Sequence, residues 1–219
     1  LETLGVRVLI DGAHGPGMLD LSMNQLSASW YVGNLHKWVC APKGAAFIWI
    51  REDLQPSTRP AVISHGFGLN AEELRRPWHH LEFDWVGTQD PTAWLSVPKA
   101  ISYLEKMVHG GWEVIRRRNR TLALDARRLL LDALGQEDPV PDEMVGHLAA
   151  VRLPSSNRTV SPIFGTEFQR LLLDQFRIEV PIIPWPNSSD RLLRISAALH
   201  NDSDDYIVLA NALGKALPC

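Results

Sequence analysis

The chain has 219 residues, of which 45% are hydrophobic and 21% are charged, and its net charge is -3. This composition is that of a globular protein with one large domain or two small ones. The slightly acidic balance argues against nucleic-acid binding, and no apolar run approaches the roughly 18 to 20 residues of a membrane span. Because no signal-peptide pattern precedes the first strand and Cys40 and Cys219 give no disulfide framework, we expect an intracellular, cytoplasmic protein.

The first part of the chain predicts an α/β sheet. Residues 6–10 are apolar apart from Arg7, which is typical of a strand in a parallel sheet covered on both faces. Further strands are predicted at 29–32 and 44–50. Pro91 marks a helix start, and apolar residues recur from there at a spacing close to the helical period. Helices are therefore expected up to about residue 108 and again over 112–134.

The second part of the chain predicts a small α+β domain. The acidic, proline-containing stretch 136–146 is the best internal boundary, and 116–120, which carries four arginines, is expected to be a solvated helix face. Beyond the boundary, strands alternate with helices, and Ser203 is the expected N-cap of the last helix. The predicted strands are 147–153, 177–183 and 191–196, and the predicted helices are 166–176 and 203–217.

A short stretch around Lys37 is the strongest candidate for chemistry. Asn34 and His36 crowd the lysine, and Trp30 and Trp38 flank it. A lysine desolvated by its neighbours can attack a carbonyl through its neutral amine, whereas most lysines are simply solvated surface residues. Composition does not decide between these two interpretations.

Asp11 and His14 follow the first predicted strand, where ligands bind in open α/β sheets. The alternative is an ordinary turn aspartate with a loop histidine, since aspartate is common in turns. Together with His36 they could also be imagined as zinc ligands. The lysine beside His36 and the lack of further ligands speak against this, so no metal site is expected.

Three motifs, in this order and spacing, resemble the class V aminotransferase (cysteine desulfurase-type) family. They are Asp11-Gly-Ala-His14, Gly33-Asn-Leu-His-Lys-Trp38 and Ala41-Pro-Lys-Gly-Ala45. Their residues are similar to those of the isopenicillin N epimerase-like branch. The resemblance implies a fold-type I transferase dependent on pyridoxal 5'-phosphate (PLP). Residues 1–135 would be the C-terminal part of the PLP-binding large domain, and 136–219 the small α+β domain. The chain would match only the C-terminal half of a family member, whose N-terminal half supplies a first phosphate-binding loop and an aromatic residue that stacks on the cofactor.

The resemblance also implies roles for the residues of these motifs. Lys37 would be the catalytic residue that carries the cofactor as a Schiff base. Asp11 would pair with the pyridine nitrogen, and His14 would contact the phenolic oxygen, where many relatives have glutamine. Asn34 and His36 would hold the phosphate, although His36 could equally be a packed aromatic ring beside Trp38.

Two further positions match family sites outside these motifs. Gly87 and Thr88 match a pair that reaches the phosphate of the opposite subunit, which implies a homodimer. Arg194 matches the arginine that grips the substrate α-carboxylate, and a structural salt bridge is the alternative. Arg191 lies three residues earlier and would face the other side of a strand, so we favour Arg194.

The resemblance implies an enzyme that forms an external aldimine with an amino acid and removes its α-proton. Epimerisation is the first expectation and a C–S lyase reaction of the cysteine desulfhydrase type is the second, with transamination as a third outcome. Residues 180–190 contain no cysteine, which argues against a persulfide mechanism. A hypothesis of another class also stands, namely a truncated, non-catalytic remnant that does not hold the cofactor.

Overall fold

The computed structural model describes residues 1–138, 140–155 and 166–217, so Cys219 lies outside the described residues. The chain forms two compact units, Leu1–Met107 and Val108–Cys219. No helix within the described ranges is long and apolar enough to cross a membrane.

The first unit is built on a three-stranded sheet with strand order β1-β2-β3. β1 runs parallel to β2, with Asp11 opposite Val32, and β2 runs antiparallel to β3. The strands are β1 Leu9–Asp11, β2 Trp30–Asn34 and β3 Ala46–Ile50, and the helices are α1 Ala71–Leu74, α2 Trp78–Phe83, α3 Thr92–Leu95 and α4 Val97–Met107. β3 reverses direction because the loop before it is too short for the crossover that a parallel strand needs.

One face of this sheet is open. Leu9 and Ile48 lie on the same face as Asp11, and they are 60% and 41% exposed. The predicted parallel pairing of the first strand is confirmed, but the prediction that both faces are covered is wrong for this chain. The opposite face is better filled, since Tyr31 is buried there and its ring stacks on Phe47.

The second unit is an antiparallel sheet with strand order β4-β6-β5, packed on one face against three helices. Its elements are α5 Gly111–Leu134, β4 Leu148–Leu153, α6 Glu167–Phe176, β5 Ile182–Pro184, β6 Arg191–Ser196 and α7 Ser203–Ala216. Leu130, Leu172, Leu193 and Leu213, from three helices and the central strand, are at most 1% exposed and form the centre of the core. The predicted α/β fold with a small α+β part is confirmed.

Two predicted details of the second unit are wrong. The strand expected over 177–183 is shorter and begins only at Ile182, as β5. Arg177 is not part of it, because it adopts a left-handed conformation that ends α6. The N-cap of α7 is Asp202 and not Ser203, since the Asp202 carboxylate accepts the backbone N–H groups of Asp204 and Asp205.

The boundary predicted at 135/136 does not coincide with the division between the two units. The long helix α5 belongs to the second unit because its apolar side packs on that unit's sheet. The acidic stretch after it is tied back to α5: Arg127, 2% exposed, pairs with Asp138, and Arg128 pairs with Asp142 at 2.6 Å. These ion pairs hold the acidic stretch against α5, so it is part of the second unit although its composition resembles that of a linker.

The prediction that 116–120 is a solvated helix face holds for the exposed Arg117 but is wrong for Arg118 and Arg120. Arg118 donates hydrogen bonds to the carbonyls of Ala198 and Asn201, at 3.1 and 2.7 Å. Arg120 donates to the carbonyl of Val145 at 3.0 Å. These guanidinium groups satisfy carbonyls of connecting segments, which the charge pattern alone does not reveal.

Candidate cofactor site

Two polar segments meet at one edge of the first unit's sheet. Asp11 is the last residue of β1 and Asn34 is the last residue of β2. Because these strands are parallel and adjacent, their carboxyl ends lie on the same edge, which is where open α/β sheets bind ligands. We call residues 12–17 the glycine turn and residues 35–45 the lysine loop.

Close packing holds the glycine turn against β2 and the lysine loop. A Cβ on Gly12 or Gly15 would overlap the Tyr31 side chain, so only glycine allows this approach. Gly17 adopts a positive φ of 80° and lies against the Trp38 backbone. The His14 and Trp38 rings are 6.3 Å apart between centroids. The turn after β1 is therefore in contact with the residue that follows Lys37.

Hydrogen bonds orient Asp11 at the start of the glycine turn. The Ala13 N–H donates to Asp11 Oδ1 at 3.1 Å, which fixes one carboxylate oxygen. The Gly12 N–H donates to the Val32 carbonyl at 2.9 Å, and the Tyr31 hydroxyl donates to the Gly12 carbonyl at 3.0 Å. The exposed carboxylate thus stands on a backbone that is bound to the neighbouring strand.

The lysine loop is closed by its own backbone and carries Lys37 at its tip. The N–H groups of Leu35 and His36 donate to the Ala45 carbonyl at 2.9 and 3.3 Å. The Cys40 N–H donates to the Lys37 carbonyl at 3.1 Å. Lys37 itself is half-buried. A rigid loop limits the positions that the amine can reach.

The imidazole of His36 is oriented by the same loop. Its Nδ1 lies 2.9 Å from the Ala45 carbonyl oxygen. Since a carbonyl only accepts, Nδ1 carries a proton, and a phosphate would be contacted through Nε2. A ring packed beside Trp38 would make the same hydrogen bond, so the phosphate-binding role of His36 stays a prediction.

Arg194 lies on β6 in the second unit, on the opposite side of the strand from the buried Leu193 and Ile195. Its Nε is buried and makes no hydrogen bond with any residue that the structure describes. Within the described ranges it forms no ion pair, so the salt-bridge alternative finds no support there. A buried guanidinium nitrogen without an acceptor is costly and is suited to receive a carboxylate.

Arg191 is engaged elsewhere, as its position at the start of β6 allows. Its Nε donates to the Pro154 carbonyl at 2.8 Å, and its guanidinium lies 5.3 Å from the Phe168 ring centroid.

Gly87 and Thr88 lie on an irregular segment after α2, where Thr88 is exposed and Gly87 has a φ of 147° that favours glycine. Their predicted contact with a second subunit stays a prediction.

Cys40 is exposed, but partial desolvation by its loop raises the pKa of its thiol, which disfavours the reactive thiolate. Over the described part of the chain, no three side chains of the His, Cys, Asp and Glu types are grouped so that they could hold a metal ion.

Sequence reasoning missed Tyr31. The structure shows that this residue connects β2 to the glycine turn. The signal that could have found it is the spacing of Gly12 and Gly15 directly after a strand, because such glycines indicate the close approach of another group.

Comparison with known proteins identifies the family. The model of the family described as aminotransferase class V matches residues 2–141. The chain belongs to the class V aminotransferase family. Isopenicillin N epimerase of Amycolatopsis lactamdurans is 34% identical over 218 residues, which cover 95% of this chain and 52% of that protein. A probable chloroplastic L-cysteine desulfhydrase of Arabidopsis thaliana is 29% identical, over 94% of this chain and 44% of that protein. The chain spans about half the length of the curated class V relatives it matches.

Solved structures show the same fold. A cysteine desulfurase from Thermococcus onnurineus NA1 matches 98% of this chain and 53% of its own, with a TM-score of 0.72 and 17% identity. The enzyme C-DES, solved with glycine covalently linked to its PLP cofactor, matches 95% of this chain and 51% of its own, with a TM-score of 0.67 and 19% identity. The predicted family and fold are confirmed, and PLP is the cofactor that the class V family and the C-DES structure indicate.

Proposed function

We propose that this class V chain holds PLP at the β1–β2 edge and acts on an amino acid at its α-carbon, with epimerisation as the reaction. The observation that carries the proposal is the packing of the glycine turn, which follows Asp11, against the lysine loop at one sheet edge. The donor set fits the cofactor: a carboxylate suits a protonated ring nitrogen, an amine suits an aldehyde, and an amide and an imidazole suit a phosphate.

Lys37 is the proposed catalytic residue. Its half-buried amine, at the tip of a closed loop, would carry the cofactor and then take the proton from the substrate α-carbon. Bound PLP supplies an electron sink for the charge that is left when this proton departs. Epimerisation, which removes a proton from one face of the α-carbon and returns one to the other, would need a second proton carrier besides Lys37.

The remaining residues of the edge would hold and tune the cofactor. Asp11, oriented by the Ala13 N–H, would keep the pyridine nitrogen protonated. His14 would contact the phenolic oxygen. Asn34 and His36 would bind the phosphate, the latter through Nε2 because Nδ1 faces the Ala45 carbonyl.

Arg194 is the proposed binding residue for the α-carboxylate of the substrate. The support is its buried Nε, without a hydrogen bond to any described residue, together with the engagement of Arg191 by the Pro154 carbonyl. The planar fork of arginine binds a carboxylate through two parallel hydrogen bonds.

We further propose a homodimer in the cytoplasm, in which Gly87 and Thr88 of one subunit reach the phosphate held by the other. The support is the exposure of Thr88 and the open space around Gly87. Sedimentation of the loaded chain tests the first point, and cell fractionation tests the second.

A C–S lyase reaction is the second candidate, because relatives named as L-cysteine desulfhydrases match almost the whole chain. Such a reaction would proceed without a persulfide-forming cysteine. Residues 180–190 contain none, and the pKa of Cys40 is raised by partial desolvation. The non-catalytic remnant is the remaining alternative.

The experiment is a PLP titration of the purified chain, followed by borohydride reduction and peptide mapping by mass. We expect a visible absorption band and label on Lys37. Lys37→Ala should abolish both, whereas Lys43→Ala, on the exposed part of the same loop, should keep them. Label spread over surface lysines, or no visible band, would support the non-catalytic remnant instead.

The reaction type is decided by a panel of amino acids tested with the loaded chain. Racemisation with uptake of solvent deuterium at the α-carbon would support epimerisation. Release of pyruvate and sulfide from cysteine would support the lyase.

A further inference from the structure

We propose that Tyr31 is a positioning residue that holds the glycine turn, and with it the Asp11 carboxylate, in register with the lysine loop. Its link to the cofactor rests on the role proposed for Asp11, whereas its hold on the turn is a property of the fold alone. Tyr31 is the second residue of β2 and is only 2% exposed.

The first observation is that two hydrogen bonds hold Gly12, the residue that follows Asp11, to β2. The Tyr31 hydroxyl donates to the Gly12 carbonyl at 3.0 Å, and the Gly12 N–H donates to the Val32 carbonyl at 2.9 Å. Two consecutive residues of β2 thus bind both polar groups of Gly12. A shift of the glycine turn away from β2 would break both bonds.

The second observation is that the ring has no room to move. On one side, Gly12 and Gly15 leave space that a Cβ would take from Tyr31. On the other side, the Phe47 ring stacks on it, with centroids 6.0 Å apart and planes inclined by 22°. Tyr31 therefore packs between Phe47 on β3 and the glycine turn.

The hydroxyl also remains a hydrogen-bond donor at neutral pH. Burial and the nearby charge of Asp11 raise the pKa of Tyr31, so the group keeps its proton.

The bond from the hydroxyl does more than satisfy a buried carbonyl. The Gly12 carbonyl already accepts the Gly15 N–H at 2.8 Å. Phenylalanine at position 31 would therefore leave no unpaired group behind, and it would keep the packing with Phe47. What it would lose is the restraint on the turn.

The test is amide hydrogen exchange of residues 12–17 in the cofactor-free chain, comparing wild type with Tyr31→Phe. The matched control is Tyr206→Phe, because Tyr206 is also buried and its hydroxyl donates to the Ser196 carbonyl at 2.7 Å in the second unit. We expect exchange in the turn to be about tenfold faster in Tyr31→Phe and unchanged in Tyr206→Phe. Equal exchange rates in wild type and Tyr31→Phe would overturn the proposal.

A second measurement tests the link to Asp11 through the visible absorption spectrum of the PLP-loaded chain. We expect a shifted band in Tyr31→Phe and an unchanged band in Tyr206→Phe. Gly15→Ala, which pushes on the same hydroxyl, should reproduce the shift if Tyr31→Phe folds poorly. If Tyr31→Phe exchanged faster but its spectrum were unchanged, the proposal that Tyr31 positions Asp11 would be contradicted. A wild-type chain that takes up no PLP would instead contradict the proposed function, and hydrogen exchange would still decide whether Tyr31 holds the turn.

Discussion

At the scale of single residues, two arginines three positions apart differ in whether their side chains already have hydrogen-bond partners. Arg191 faces the packed side of its sheet. Its guanidinium donates to the Pro154 carbonyl and lies over the Phe168 ring. Arg194 faces the other side, and its buried Nε has no acceptor among the described residues. The alternation of side chains along β6 is sufficient to separate them, because successive residues of a strand point to opposite faces.

This difference leads to a prediction for substrate binding by the PLP-loaded chain. Arg194→Lys should raise the Kd of an amino-acid ligand by roughly 10- to 100-fold, since a lysine cannot replace the planar two-point contact. Arg191→Lys is the matched control and should change the Kd by less than about threefold, at some cost in stability. Spectroscopic titration with the amino acid measures both, and equal effects of the two substitutions would contradict the assignment.

At the scale of elements, the middle of β2 depends on a glycine. A Cβ on Gly33 would lie 2.7 and 2.8 Å from two ring atoms of Phe47 and 2.9 Å from Cγ of Pro16. Phe47 is itself held by its stacking on Tyr31, so it has little freedom to retreat. The hairpin that carries the lysine loop is thus packed with no room for a further methyl group.

We therefore predict that Gly33→Ala lowers the free energy of unfolding of the first unit by about 1–3 kcal/mol through overpacking. Gly214→Ala is the control: Gly214 lies exposed in α7, and nothing lies within 4 Å of the position that an added methyl group would take. There alanine should stabilise the second unit by about 0.5–1 kcal/mol, because glycine is a poor helix former. Urea unfolding followed by circular dichroism measures both changes. A stabilising Gly33→Ala would show that β2 and β3 are loosely packed.

The elements also show where the sequence was sufficient and where it was not. The end of α5 at Gly135 and the strand β6 were predicted correctly, since the glycine stop and the apolar run are local signals. The strand predicted at 177–183 was mostly wrong, because Arg177 ends α6 in a left-handed conformation that no local pattern demands. The same holds for Arg118 and Arg120 within 116–120, which bind carbonyls distant in sequence.

At the scale of the whole molecule, each unit has its own core, and the second contains an uncharged histidine. His147 is 1% exposed, and its Nε2 lies 3.2 Å from the Arg116 carbonyl. Burial lowers the pKa of this imidazole to about 4. Its protonation is thus linked to the unfolding of the second unit.

The sign of this linkage gives a pH prediction. Above about pH 6.5 His147 is neutral in both the folded and the unfolded states. As the pH falls from about 6.5 to about 4, only the unfolded state takes up the proton, so the second unit loses about 3 kcal/mol of stability. Urea unfolding across this range should show the loss. It should be smaller in His147→Gln, which keeps a donor for the Arg116 carbonyl, and undiminished in His200→Asn, where the histidine is exposed. The same slope in His147→Gln would rule out His147 as its source.

The sequence by itself determined the family, the order of the site motifs and most of the helices, because these depend on local residue types and spacing. Only the tertiary structure decided which parts of the site meet. Parallel pairing of β1 and β2 brings Asp11 and Asn34, distant in the chain, to one edge of a sheet. Tyr31 then fills the space that Gly12 and Gly15 leave open. Long-range packing of this kind depends on pairs of residues far apart in sequence, and a one-dimensional pattern does not specify those pairs.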